Sequence, residues 1–107
     1  MRIKTLRAVG GTLLAATLLI VTALPATAQT VTYKNLATSF CLDSNANRNV
    51  YTLGCNGGSY QKWTVSDAGG GAVTLKNLAT GFCLDSNADR KVYTLGCNGG
   101  SYQKWVR

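Results

Sequence analysis

The chemistry open to this chain is narrow. Its carboxylates are Asp43, Asp67, Asp85 and Asp89, and it contains neither His nor Glu. Triads and metal sites that rely on imidazole are thereby excluded. A glycosidase needs two carboxyl groups flanking one bond. It would have to combine Asp43 with Asp85, or recruit Asp89, so the inventory argues against an enzyme. The four cysteines, Cys41, Cys55, Cys83 and Cys97, fall as two C-x13-C pairs. Zinc sites use close pairs such as C-x2-C, or histidines. Neither is present, and no metal or other cofactor is expected.

The same groups occur twice because the chain repeats itself. Val31 to Val65 and Val73 to Arg107 align with a period of 42 residues. The pairs that differ are Tyr33/Leu75, Ser39/Gly81, Asn47/Asp89, Asn49/Lys91, Thr64/Val106 and Val65/Arg107. A repeat this strict marks one supersecondary unit, which needs a neighbouring copy to bury its apolar face. Any site in one unit is expected in the other.

The flanking sequence sets the compartment. Arg2, Lys4 and Arg7 precede an apolar run from Ala8 to Leu24, then Pro25 and Ala26-Thr27-Ala28. This is the pattern of a secretory signal peptide over residues 1–28, with Gln29 as the mature start. A permanent membrane anchor fits less well, because the stretch is short and ends in a cleavage site. The expected protein is secreted, extracellular and free of the membrane after cleavage. Its formal charge of +7 falls to about +4 without those three basic residues. The remaining Lys and Arg are scattered singly, so no nucleic-acid-binding face is expected. In an exported chain, four cysteines imply disulfides. Of the three pairings, the repeat favours Cys41–Cys55 with Cys83–Cys97, since equivalent units should close equivalent loops.

No segment keeps helical periodicity, and short β-prone runs alternate with Asn, Gly and Ser turns. The fold class expected is all-β. In the first unit, 31–65, strands are expected over Val31–Leu36, Phe40–Asp43, Val50–Leu53 and Lys62–Val65. Val31, Leu36, Phe40, Leu42, Val50 and Trp63 are expected to point inward. Residues 66–71 read as a turn-forming connector, and 72–107 as the second unit.

Q-x-W closes each unit, as Gln61-Lys62-Trp63 and Gln103-Lys104-Trp105. Alone the tripeptide says little. Combined with C-L-D, V-Y-T-L-G-C-N-G-G and the period, it resembles the ricin-B-type lectin repeat. That resemblance implies one domain over 29–107, a β-trefoil, of which this chain holds two of the three repeats. It places Trp63 and Trp105 in the shared core. It also implies a carbohydrate partner, with Asp43 and Asp85 accepting hydrogen bonds from sugar hydroxyls and Gln61 and Gln103 orienting them. A turn-capping role for Asp43 and Asp85, and a structural one for the glutamines, are the plainer alternatives.

Two positions depart from the family's pattern. An aromatic platform commonly stands two residues before the second Cys of the unit, where this chain has Leu53 and Leu95. The residue before the motif's Gln, often Asn, is Tyr60 or Tyr102. Tyr51 and Tyr93 are substitutes for the platform, unless they only cover strand surface. The function expected is a secreted, non-catalytic lectin with one shallow site per unit. The alternative is a secreted interaction or inhibitor module that keeps the scaffold without sugar binding. A two-unit chain leaves three outcomes open: association into homo-oligomers, a truncated or decayed reading frame, or a disulfide-held partial trefoil.

Overall fold

The computed structural model describes residues 28–107. The expected signal peptide lies outside the described residues except for Ala28. All regular structure among the described residues is strand or short 3-10 turn. The strands are β1 (Gln29–Val31), β2 (Cys41–Ser44), β3 (Val50–Leu53), β4 (Trp63–Gly69), β5 (Ala72–Asn77), β6 (Cys83–Ser86), β7 (Val92–Leu95) and β8 (Trp105–Val106).

Each unit follows one plan. Its first strand runs antiparallel to its last, β1 to β4 and β5 to β8. Its middle strands form a hairpin, β2 with β3 and β6 with β7. Local chemistry explains the turns. Asn45 Oδ1 accepts from the amides of Asn47 and Asn49, at 2.9 and 3.1 Å, and Asn87 repeats this at 2.9 and 3.2 Å. Before β2, Asn35 Oδ1 accepts from the Ala37 and Thr38 amides. That turn ends on Ser39 at φ 63° and, in the second unit, on Gly81 at φ 74°. Glycine adopts this left-handed geometry without the Cβ penalty that Ser39 bears.

The two units join through a hairpin. β4 pairs with β5 from Trp63↔Asn77 to Gly69↔Ala72, with a register shift between Asp67 and Gly69. Gly70 and Gly71 form the two-residue turn, both at positive φ, as a hairpin turn of this length requires. Ser66 to Gly69, expected as connector, therefore extend the strand. The core lies on this seam. Trp63, Val73, Leu75 and Leu84 are buried, with Val31, Leu42, Val50, Val65 and Trp105 packed around them.

Two further expectations are corrected. Leu36 and Phe40, expected inward, are 98% and 48% exposed. The strand expected over Val31–Leu36 is instead Gln29–Val31, whereas the corresponding stretch of the second unit is strand from Ala72 to Asn77. The reason is the neighbour. β4 supplies hydrogen bonds along the whole of β5, while among the described residues no strand lies against Thr32 to Asn35 on that side. Position also explains why Leu75 is buried where its copy Tyr33 is 40% exposed.

Both disulfides form within units, Cys41–Cys55 and Cys83–Cys97, and no described cysteine is free. Each closes a loop with a sequence separation of 14. Loops of this size are worth about 3 kcal/mol in the chain-entropy model. Replacing Cys41 and Cys55 together by Ser is expected to lower stability by about that amount, read as a reduced denaturant midpoint.

Candidate functional site

The site residues expected from sequence come from three elements. Asp43 lies on β2 directly opposite Tyr51 on β3, and Cys41 lies opposite Leu53. Partners in register share a face of the hairpin, as do alternate residues of a strand. Asp43, Tyr51 and Leu53 therefore line one surface. Gln61 closes the short 3-10 turn Ser59–Gln61 and is buried. From there its side chain reaches the Asp43 carboxylate.

Gln61 holds three partners at once. Its Nε2 donates to Asp43 Oδ2 at 2.8 Å and to the Gly54 carbonyl at 3.0 Å. Its Oε1 accepts from the Asn56 amide at 2.9 Å. Gln103 repeats all three bonds, to Asp85 Oδ2, Gly96 and Asn98, at 2.8, 3.0 and 2.9 Å. The glutamine thus ties the turn and orients the carboxylate together. Both Asp43 and Asp85 are 3% exposed.

Among the described residues, only one oxygen of each carboxylate is committed to a hydrogen bond. Among the described residues, Asp43 Oδ1 accepts no hydrogen bond. It is not sealed from solvent either: among the described residues, the sealed side-chain atoms lacking partners are Ser44 Oγ and Thr94 Oγ1. In the first unit, a surface pocket opens over Asp43, lined also by Asn45, Tyr51, Leu53, Asn56 and Tyr60. A carboxylate oxygen at the floor of such a pocket can accept from neighbouring hydroxyls.

The tyrosines are partly committed. Tyr51 Oη donates to the Ser44 carbonyl at 3.4 Å, and Tyr93 Oη to Ser86 at 3.3 Å. The Tyr51 side chain is 38% exposed beside the pocket, and Leu53 is half exposed. The sequence marks Tyr60 only as a departure from the family pattern, whereas the structure sets it in the pocket wall. Asn56 reads from sequence only as a turn residue. The Asn56-Gly57-Gly58 run marks the bend in the sequence, and Gly57 takes φ 71° there.

Trp63 is fully buried and its Nε1 donates to the Leu42 carbonyl at 3.2 Å. Trp105 makes the same bond, to Leu84 at 3.0 Å, but is only partly buried. It therefore sits at the rim of the core in which the resemblance places it.

The fold is all-β and of β-trefoil type, with two units in this chain. The chain belongs to the ricin-type β-trefoil lectin domain family, whose model matches residues 29–107. Among solved structures it is similar to a designed 3-fold symmetric protein, ThreeFoil. The TM-score is 0.67 at 25% identity, covering 72% of this chain and 62% of that one. The chain thus spans less than two thirds of ThreeFoil's length.

Proposed function

We propose that the protein is a secreted, non-catalytic carbohydrate-binding protein, with one site in each unit. Family membership supports carbohydrate binding. The observation that carries the site is the buried carboxylate fixed by glutamine on one oxygen and open on the other. Asp43 and Asp85 accept from neighbouring sugar hydroxyls, and Gln61 and Gln103 hold them in place. Tyr51 and Tyr93 offer a ring face to the apolar side of the sugar. Such sites are shallow, so firm attachment comes from two or more of them engaging one polymer. Two disulfides suit an oxidising, extracellular setting.

A glycan array probed with the oxidised protein tests this. Retention on at least one sugar, competed by the free sugar at millimolar concentration, is the expected outcome. No retention on any glycan removes the lectin reading. The half-exposed Leu53, standing where the family commonly has an aromatic, favours a second reading as an interaction or inhibitor module. On that reading the array stays blank.

A further inference from the structure

The seam between the two units shows how one unit receives another. The leading face of the second unit meets the trailing face of the first. Asn77 Nδ2 donates to the Tyr60 carbonyl at 2.8 Å, the Leu78 amide to Lys62 at 2.9 Å, and the Thr94 amide to Arg48 at 3.0 Å. β4 lies along β5 in the register Trp63↔Asn77, Thr64↔Lys76 and Val65↔Leu75. Asn77 and Thr94 are fully buried there.

Both faces occur a second time, and among the described residues nothing covers them there. The leading face of the first unit carries Asn35, Leu36 and Thr52, identical in type to Asn77, Leu78 and Thr94. All three are exposed, and a groove runs between Tyr33, Asn35, Leu42 and Thr52. The trailing face of the second unit carries Tyr102, Lys104, Trp105 and Arg90, identical in type to Tyr60, Lys62, Trp63 and Arg48. Among the described residues, only β5 pairs with β8, leaving its other edge open.

We infer that the leading face of the first unit receives the trailing face of the second unit from another copy of this chain. The register of the internal seam sets that of the junction: Trp105 opposite Asn35, Val106 opposite Lys34, and Arg107 opposite Tyr33 of the second copy. The substitutions between units agree with it. Val65 and Leu75 face each other as an apolar pair inside the chain. At the junction both members change together, to Arg107 and Tyr33, a guanidinium against an aromatic ring. The contact adds a strand to an open edge. It is head-to-tail, so it propagates until a set closes. Three chains hold six units, which fill two complete sets of three when one chain opens its β4–β5 hairpin and gives one unit to each set.

Size exclusion with light scattering on the full, oxidised chain at micromolar concentration tests the inference, beside hydrogen exchange. The expected mass is that of three chains, with slowed exchange at the Leu36 and Thr52 amides. Thr52→Arg is expected to return the mass to one chain. Thr52 is exposed within a single chain, while its copy Thr94, fully buried, leaves no room for a larger side chain. A single-chain mass for the unaltered protein overturns the inference. So does an assembly that tolerates Thr52→Arg and leaves both amides exchanging freely. Protection of those amides by a glycan on a monomer gives the groove to sugar and also overturns it.

Discussion

Trp63→Ala is expected to unfold most of the population, while Trp105→Ala leaves the chain folded. The residues are copies of each other and each donates to a backbone carbonyl. They differ in surroundings. Trp63 is fully enclosed among Val73, Leu75 and Leu84. Removing a buried Trp costs about 3–5 kcal/mol, against a total stability of about 5–15 kcal/mol for a typical domain. A chain with a core this small has little reserve. Trp105 stays in partial contact with solvent, so its truncation creates less cavity and loses less buried surface. Chemical denaturation at nanomolar concentration, where chains are separate, measures the difference. Equal losses for the two variants would contradict the packing described above.

That asymmetry also marks what is legible in the sequence. The repeat, the Cys spacing and the Q-x-W motif are local, and from them the disulfides and the family follow. β3 is readable at Val50–Leu53 because its β-prone run is bounded by Asn turns on one side and Gly54 on the other. Burial is not local. Leu78 and Leu36 have the same neighbours in sequence, yet the former is 49% exposed and the latter 98%, because only the second unit has a strand against its leading face. Ser66 to Gly69 read as linker because nothing in them is strongly apolar, and pairing with β5 makes them strand. In the candidate site, the Asp–Gln link is available only through resemblance. Its partners are 18 residues apart, and no periodicity joins them. The buried hydroxyls of Ser44 and Thr94 give no signal, since their copies Ser86 and Thr52 are less buried.

Asp43→Asn with Asp85→Asn is expected to abolish sugar binding without unfolding the protein. The amide oxygen still accepts from Gln61 or Gln103, so the turn stays tied. The amide nitrogen then faces the pocket as a donor in place of an acceptor. Each hydrogen bond to a charged group is worth about 1.5–3 kcal/mol. Losing one or two of them at each site corresponds to a drop in affinity on the order of 100-fold or more, and multivalent retention falls further because both sites change together. The decisive measurement is a calorimetric titration of the unaltered and doubly substituted chains with the sugar found on the array. Saturable heat is expected for the first and none for the second, with matching thermal melts. Equal binding by both proteins would contradict the claim that these two carboxylates hold the sugar.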